Sequence, residues 1–228
     1  ILKHKGIIAN PNCSTIIMVM ALKPIYDLAK IKRVIVSTYQ AVSGAGKEGI
    51  DELDAQVREH SEGREMTANI LPSASAEKHY PIAFNLIPQI DVFCDNLYTK
   101  EEMKMVNETK KIMEDYEMRI TATTIRVPVY RSHSESVNIE LEKEVDLGAM
   151  REALAKFPGV TVQDDPSKQE YPMPLYTSEK DDVYVGRLRR DESCEKSYNM
   201  WVVGDQIRKG AALNTLQIAE TMIKNGWI

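Results

Sequence analysis

Residues 10–29, NPNCSTIIMVMALKPIYDLA, place a cysteine at the start of a long apolar run. Apolar side chains recur on most faces of a helix built from this run, so we predict a largely buried helix over residues 13–29. The Asn-Pro-Asn tripeptide ahead of Cys13 supplies the turn and capping chemistry of a helix start. Free N–H groups and the helix dipole stabilise a thiolate there, which predicts a nucleophilic Cys13 with a lowered pKa. The alternative is a small buried apolar residue, since unpaired cysteines are often buried.

The composition of the chain is that of an ordinary globular protein, with 43% hydrophobic and 28% charged residues. Its 228 residues suffice for one large domain or for a domain with part of another. A formal charge of −5, without a dense lysine or arginine stripe, argues against a nucleic-acid-binding protein. The longest apolar stretch, residues 16–22, is too short to span a bilayer, so no membrane partner is expected.

The three cysteines, Cys13, Cys94 and Cys194, are far apart and form no CxxC pair. An odd number of separated cysteines suits a reducing compartment, so we expect a cytoplasmic protein without a disulfide framework. The four histidines are equally scattered, and we therefore predict no metal site.

Hydrophobic periodicity and turn residues divide the rest of the chain into helices and strands. In a helix predicted over residues 99–114, Thr99 is the expected N-cap and Glu102 occupies the capping-box position. Strands alternate irregularly with helices, which favours the α+β class, a mixed sheet with helices on one face. The predicted strands cover residues 5–9, 32–42, 118–129, 134–142, 159–163, 182–190 and 197–204. The other predicted helices cover residues 47–59, 146–156 and 208–224, and residues 60–80 and 166–174 are expected to be irregular.

Arg126 and His133 are the side chains whose chemistry best complements a reactive thiol. Histidine exchanges protons near neutral pH, although a lone histidine is more often structural, and an arginine often forms only a surface ion pair. The odd spacing of seven would place the two side chains on opposite faces of one regular strand. Pro128 lies between them, and a proline inside a strand marks an edge, a bulge or a break. We therefore predict an irregularity around residues 128–131 that turns both groups into one pocket.

Three motifs occur in order along the chain: NPNCST at residues 10–15, STYQAVSGAG at 37–46 and RVPVYRSHSESV at 126–137. Together they resemble the bacterial aspartate-semialdehyde dehydrogenase family. The resemblance extends through YPIAFNLIPQIDVF at residues 80–93 and MWVVGDQIRKGAALNTLQIAE at residues 200–220. It implies the fold of the C-terminal domain of glyceraldehyde-3-phosphate dehydrogenase-like enzymes.

The resemblance also implies roles for five residues of the motifs. Cys13 would be the nucleophile and His133 the acid/base. Arg126 would grip the substrate α-carboxylate, a task that suits the bidentate fork of a guanidinium. Gln40 would orient the substrate by hydrogen bonding, and Asn12 would be a further substrate-binding residue. A glutamine at a strand end is otherwise ordinarily solvated.

Glu101 and Lys104 belong to an EExK segment that is similar to a family motif. By that similarity Glu101 meets the substrate amino group and Lys104 meets phosphate. Their i, i+3 spacing also fits a plain exposed helix pair. Glu102 competes for the first role, but as the capping-box residue it is expected to face the backbone.

Ser43, Gly44 and Gln206 are the residues that match cofactor contacts in the family. The Gly-rich loop at residues 43–46 would let a flat ring approach the backbone. Gln206 stands where relatives often have asparagine, and the amide is retained. The implied cofactor is NADP.

The activity that the resemblance implies is the NADP-dependent reductive dephosphorylation of L-aspartyl 4-phosphate to L-aspartate 4-semialdehyde. The reaction passes through a cysteine thioester and serves lysine, threonine and methionine synthesis. The implied partners are this small-molecule substrate, phosphate and a second subunit in a homodimer. Two alternatives remain: a non-catalytic dimerisation module, and a related acyl-phosphate reductase such as N-acetylglutamyl-phosphate reductase.

Nothing in the chain matches the dinucleotide fingerprint of a Rossmann domain. By resemblance, residues 1–11 would be the last strand of a nucleotide-binding domain whose remainder is missing from this chain. Residues 12–204 would form the catalytic and dimerisation domain, and residues 205–228 a C-terminal helix that packs on the nucleotide-binding domain. We therefore expect a catalytic fragment, with most of the NADP site elsewhere.

Overall fold

A computed structural model describes residues 4–228 as a six-stranded mixed sheet with helices packed on one face. This architecture confirms the predicted α+β class. The strands are β1 (Ile31–Gln40), β2 (Arg119–Arg126), β3 (His133–Leu141), β4 (Val160–Val162), β5 (Val183–Arg190) and β6 (Ser197–Gly204). The helices are α1 (Cys13–Leu28), α2 (Lys47–Ser61), α3 (Lys100–Ile112), α4 (Leu147–Lys156), α5 (Pro174–Thr177) and α6 (Leu213–Lys224).

The strand order in the sheet is β2-β1-β3-β6-β5-β4. The β1–β2 and β4–β5 pairs are parallel, and the other three pairs are antiparallel. The buried apolar side chains include Val34 and Val36 in β1, and Val137 and Ile139 in β3. Because side chains alternate along a strand, these residues lie on one face of the sheet.

Helix α1 covers that face and is itself buried over most of its surface. Ile17, Met18, Leu22 and Ile25 are all completely buried in the main core. Each such side chain contributes about 1.5–3 kcal/mol when it leaves water. The apolar run after Cys13 therefore lies at the centre of the main core, and the prediction of a buried helix is confirmed.

The strand register determines where polar side chains lie under this helix. Toward one end of the sheet the apolar pairs give way to Thr38 opposite Glu135, and then to Gln40 opposite Arg126. His133 is the first residue of β3 and lies at the same end. The first turn of α1 meets the sheet there, so the N-terminus of the buried helix and the polar strand ends converge.

A smaller lobe is attached at this end of the sheet. It consists of α2 and residues 62–98, and we call it the α2 lobe. Residues 62–98 contain no helix or strand beyond isolated bridges, as expected for 60–80. A second hydrophobic cluster holds the lobe together. Its buried members are Val42, Leu53, Leu71, Ile82, Ala83 and Ile87.

Local signals in the sequence predicted the element starts well. Thr99 accepts a hydrogen bond from the Glu102 N–H (3.2 Å), and the Glu102 carboxylate accepts one from the Thr99 N–H (2.7 Å), which confirms the capping box. Residues 127–132, between β2 and β3, belong to no strand, which confirms the predicted irregularity. Within residues 4–228 no helix has the length and apolar character needed to cross a membrane.

Two predictions of local structure need correction. Residues 5–9 are not a strand; within the described chain no strand runs beside them to pair with their backbone groups. The last helix, predicted over residues 208–224, begins as a π-helix at Arg208–Ala212 and becomes α-helical at Leu213. A π-helix places an extra residue in the turn and is frequent at functional sites.

Candidate active site

Cys13 is the first residue of α1, and Asn12 is its N-cap. The Asn12 side-chain oxygen accepts a hydrogen bond from the Thr15 N–H (3.1 Å). The π-helix packs directly on this turn through Gly210. A Cβ on Gly210 would lie 2.9 Å from the Cβ of Cys13, closer than such atoms approach. Glycine is therefore required at residue 210 for the π-helix to reach the cysteine.

His133 lies beneath the same first turns of α1. Ile17, one turn after Cys13, packs on Gly204, and Gly204 is the β6 partner of His133. The His133 Nδ1 atom accepts a hydrogen bond from the Ala41 N–H (3.1 Å). In neutral imidazole the proton is then on Nε2, which is buried and has no hydrogen-bond partner among residues 4–228. The ring therefore presents a free N–H donor to the site.

Arg126 is 2% exposed, and its guanidinium is held from one side by carbonyl groups alone. Nε donates to the Pro72 carbonyl (3.2 Å) and Nη1 donates to the Ala41 carbonyl (2.8 Å). Within the described residues the guanidinium donates only to these two carbonyls, and the charge of Glu101 acts on it without a hydrogen bond. Burial lowers its pKa to about 10. A buried cation with neutral partners and unused donors suits an anionic ligand.

Arg126 and His133 both pack against Gly44. The two side chains therefore lie close together, as the sequence predicted. A Cβ on Gly44 would lie 2.7 Å from Nη1 of Arg126 and 3.2 Å from Cε1 of His133. The side of Gly44 on which a Cβ would stand is thus occupied by these two groups. Glycine is required here by the packing of Arg126 and His133, a reason that the loop composition did not reveal.

Glu101 is buried and joins three of the predicted substrate residues. Its Oε1 atom accepts hydrogen bonds from Nδ2 of Asn12 (2.9 Å) and Nε2 of Gln40 (3.1 Å). Its Oε2 atom lies 3.5 Å from the Lys104 ammonium, which also contacts Asp91 at 3.2 Å. Because the adjacent carboxylate caps α3, as described above, Glu101 is the member of the EExK segment that faces the site.

Gln206 and Ser43 contact each other directly. The Gln206 side-chain amide donates to the Ser43 hydroxyl (2.5 Å) and accepts a hydrogen bond from the Ser132 N–H (2.9 Å). Both ends of the amide are thus used within the chain. Two of the three residues predicted to contact the cofactor therefore lie together, and the third, Gly44, follows Ser43 in the same turn.

The electrostatics of the site contradict the expected thiolate. Burial first, and then the negative charge of Glu101, raise the pKa of Cys13 from 9.0 to about 12. Arg126 opposes this rise but does not overcome it. A shift of that size corresponds to roughly 4 kcal/mol, whereas a helix terminus contributes only about 0.3–1 kcal/mol. Loss of water therefore outweighs the helix dipole, and the prediction of a lowered pKa is wrong for the unliganded chain.

The pKa of His133 moves in the opposite direction. Burial, followed by the nearby positive charge of Arg126, lowers it well below the ordinary value of 6.5. The Cys13 thiol and the His133 imidazole are thus both neutral at neutral pH in the unliganded chain. In this state the imidazole can donate a hydrogen bond through Nε2 to a substrate oxygen, and it holds its other nitrogen on the Ala41 peptide.

Glu135 is a buried carboxyl group that the sequence analysis passed over. It is completely buried, and neither of its oxygens has a hydrogen-bond partner within the described residues. Burial and then the charge of Glu101 raise the pKa of Glu135 well above its ordinary value of 4.5. Glu135 lies two residues after His133 on β3, so the two side chains are on the same face of the sheet. Period-two alternation in the sequence already indicated this.

Gly210 was also missed, although a glycine inside a helical pattern is a recognisable signal. No local sequence pattern indicated the hydrogen bond between Arg126 and the Pro72 carbonyl. Pro72 is 54 residues from Arg126 in the sequence and lies in an irregular segment.

Comparison with known proteins gives a family match over most of the chain. The family described as "Semialdehyde dehydrogenase, dimerisation domain" matches residues 22–209. Curated relatives named aspartate-semialdehyde dehydrogenase include one from Aquifex aeolicus, 55% identical over 226 residues, and one from Bacillus subtilis, 52% identical over 223 residues. The alignments cover 99% and 97% of this chain, but 65% and 64% of those relatives. The chain thus spans just under two thirds of their length.

Solved structures give the same result. Aspartate semialdehyde dehydrogenase II from Vibrio cholerae, crystallised with ASA, is 45% identical with a TM-score of 0.88. That match covers 95% of this chain and 62% of the Vibrio chain. The Candida albicans enzyme, crystallised with NADP, is 24% identical with a TM-score of 0.68 over 96% of this chain and 57% of its own. At that identity the likeness to the Candida protein shows the fold alone.

We expect Glu101→Gln to raise the reactivity of Cys13. The substitution removes a negative charge that raises the pKa of the thiol and keeps an oxygen for Asn12 and Gln40. Alkylation by iodoacetamide at pH 8 should become roughly tenfold faster, which corresponds to one pKa unit. Mass spectrometry of the peptide that carries Cys13 separates its reaction from those of the other cysteines. Glu114→Gln, at an exposed residue just after α3, is the control; equal rates in the wild type and in Glu101→Gln would contradict the electrostatic account.

The raised pKa of Glu135 predicts how stability depends on pH. The folded chain holds this proton more tightly than the unfolded chain. Its contribution to stability is therefore complete below pH 4.5 and is lost as the pH rises toward the folded-state pKa. Glu135→Gln cannot ionise, so its free energy of unfolding in urea should fall less than that of the wild type between pH 5 and pH 8. Glu142→Gln, at an exposed residue, is the control; equal pH slopes for the wild type and Glu135→Gln would refute the prediction.

Proposed function

Because the chain belongs to the semialdehyde dehydrogenase dimerisation-domain family, we propose that it carries the cysteine and substrate pocket of an NADP-dependent aspartate-semialdehyde dehydrogenase. The reaction reduces L-aspartyl 4-phosphate to L-aspartate 4-semialdehyde and phosphate. The observation that carries this proposal is Arg126, a buried cation whose neutral partners leave donors free for an anion. An aldehyde substrate with an α-carboxylate supplies that anion, and a simple aldehyde does not.

The polar groups around the pocket fit the rest of an aspartyl substrate. Glu101 offers a buried carboxylate to the substrate ammonium group. Gln40, held by Glu101 and Thr38, positions the substrate through its amide. Lys104 is partly exposed beside Glu101 and is the cation available for phosphate. Asn12 fixes Glu101 from the helix start. Arg126, Glu101 and Lys104 thus give the substrate carboxylate, ammonium and phosphate each a partner of opposite charge.

In the proposed reaction the sulfur of Cys13 attacks the acyl carbon, phosphate leaves, and a thioester forms. The proton of the thiol leaves with the departing phosphate, since Nε2 of His133 already carries a proton. Hydride then reaches the thioester carbon, and the resulting oxyanion accepts a hydrogen bond from His133 Nε2–H. Collapse of this intermediate breaks the C–S bond, releases the aldehyde and leaves a thiolate, which takes a proton from solvent to restore the thiol. His133 therefore acts chiefly as a donor to developing negative charge.

The reduced cofactor, NADPH, would supply the hydride when it is bound and would leave as NADP. Ser43, Gly44 and Gln206 form the part of its site that this chain would contribute, and most of the site would lie in a nucleotide-binding domain. We propose residues 12–204 as the catalytic and dimerisation domain and residues 205–228 as the segment that packs on the nucleotide-binding domain. Leu216 and Ile223, one heptad apart on α6, are 55% and 65% exposed and offer an apolar face for that contact.

The proposed assembly is a homodimer, in keeping with the dimerisation-domain match. The face of the sheet opposite α1 carries Tyr39 and Trp201, whose ring centroids are 5.5 Å apart. We propose the cytoplasm as the place of action because the three cysteines are unpaired. The product would serve the synthesis of lysine, threonine and methionine.

Arg126→Lys tests the substrate assignment. Lysine keeps the positive charge but loses the planar fork, and it cannot reach the Pro72 and Ala41 carbonyls and a carboxylate together. With a nucleotide-binding domain supplied, kcat/KM for L-aspartate semialdehyde should fall about 10- to 100-fold, the range expected for lost hydrogen bonds to a charged group. The matched control is Arg119→Lys, at the exposed start of β2. Unchanged kcat/KM in Arg126→Lys would remove the assignment.

The chain of 228 residues alone should not turn over. Its pocket contains the cysteine and the substrate groups, whereas most cofactor contacts are proposed to lie elsewhere. Spectrophotometric assays with L-aspartate semialdehyde, phosphate and NADP should show no NADPH formation until a nucleotide-binding domain is added. Turnover by the purified chain would show that this division of labour is incorrect. A folded chain that stays inactive even with the added domain would favour a non-catalytic dimerisation module.

A further inference from the structure

Two backbone carbonyls hold the Arg126 guanidinium, and they differ in how they are themselves fixed. The Ala41 carbonyl follows directly from β1. The Pro72 carbonyl belongs to the α2 lobe, in a segment without helix or strand. Because Pro72 belongs to no strand or helix, regular backbone hydrogen bonding does not position its carbonyl. Side-chain contacts have to position it instead.

Glu52 is the side chain that fixes this segment. It projects from α2, is only 8% exposed, and accepts hydrogen bonds from three consecutive backbone N–H groups. Oε2 accepts from Asn69 (2.6 Å) and Ile70 (2.8 Å), and Oε1 accepts from Leu71 (3.0 Å). Three charge-assisted hydrogen bonds to adjacent peptides leave the chain little freedom up to the residue before Pro72.

Further contacts hold Leu71 and the neighbouring residues 80–83 in place. Leu71 is completely buried in the core of the α2 lobe, and its carbonyl accepts a hydrogen bond from the Tyr80 N–H (3.0 Å). Gln56, one turn after Glu52, accepts hydrogen bonds from the N–H groups of Ile82 (2.8 Å) and Ala83 (3.0 Å). The α2 lobe thus ends in a rigid edge that presents one carbonyl to Arg126.

We propose that Glu52 is a positioning residue that sets the orientation of the Arg126 guanidinium and thereby the selectivity for a substrate α-carboxylate. The proposal rests on the proposed function, because it needs Arg126 to bind that carboxylate. A guanidinium recognises a carboxylate through two parallel hydrogen bonds, so rotation of its plane weakens recognition without removing the charge. Glu52 does not touch the substrate and acts only through Pro72.

The test compares Glu52→Gln and Glu52→Ala with the wild type, each with a nucleotide-binding domain supplied. The glutamine oxygen can keep the bonds to Asn69 and Ile70, whereas its NH₂ group then faces the Leu71 N–H. Alanine loses all three bonds. KM for L-aspartate semialdehyde should therefore rise in the order wild type, Glu52→Gln, Glu52→Ala, by about tenfold for alanine, with a smaller change in kcat.

Propanal, an aldehyde without an α-carboxylate, separates positioning from general damage. Its kcat/KM should stay unchanged in both Glu52 variants, so the preference for L-aspartate semialdehyde over propanal should fall about tenfold in Glu52→Ala. A parallel loss for both aldehydes would mean that Glu52 is merely structural and would overturn the proposal. Because Glu52→Gln keeps two of the three bonds, it tests the proposal even if Glu52→Ala does not fold.

Two controls make the outcomes distinguishable. Glu59 lies on the same helix and accepts a hydrogen bond from the Thr67 N–H (2.8 Å), but it has no connection to Pro72. Glu59→Gln should leave the preference between the two aldehydes unchanged. If Arg126→Lys lowers that preference and both Glu52 variants do not, the proposed function stands and the role of Glu52 is refuted. If Arg126→Lys leaves it unchanged as well, the proposed function itself has failed.

Discussion

The peptide backbone of Ala41 is the constraint on which the site depends. Its N–H donates to Nδ1 of His133, and its carbonyl accepts from Nη1 of Arg126. One buried residue that follows β1 thus sets the tautomer of the imidazole and holds one nitrogen of the guanidinium. Gly44, three residues later, leaves the space that both side chains fill. Backbone groups of Ala41 therefore hold both side chains, and the second support of Arg126 is the Pro72 carbonyl.

Burial has a consequence for the charges in this site. A cysteine, a histidine, an arginine and a glutamate share a space from which most water is removed. Removal of water raises the pKa of Cys13 and lowers the pKa of His133, and at Cys13 it outweighs the helix dipole. In the proposed complex the Glu101 carboxylate and the Arg126 guanidinium would each face a group of opposite charge on an aspartyl substrate.

Much of this arrangement could be predicted from residues close together in the sequence. The buried helix after Cys13, the capping box of α3 and the break at Pro128 are local patterns, and all three are present as predicted. The order of motifs also pointed to the residues that meet at the strand ends. The strand at residues 5–9 was wrong because a strand requires a partner that no local pattern can supply.

Other features depend on contacts between distant parts of the chain. The support of Arg126 by Pro72 joins residues 54 apart, and the packing of Gly210 on Cys13 joins residues almost 200 apart. The protonation state of Cys13 likewise depends on how much water the folded chain excludes. The sequence by itself therefore determined the elements, their caps and the kinds of chemical group in the site. Only the tertiary structure decided their charge states and orientations, because desolvation and long-range hydrogen bonds exist only once the chain has folded.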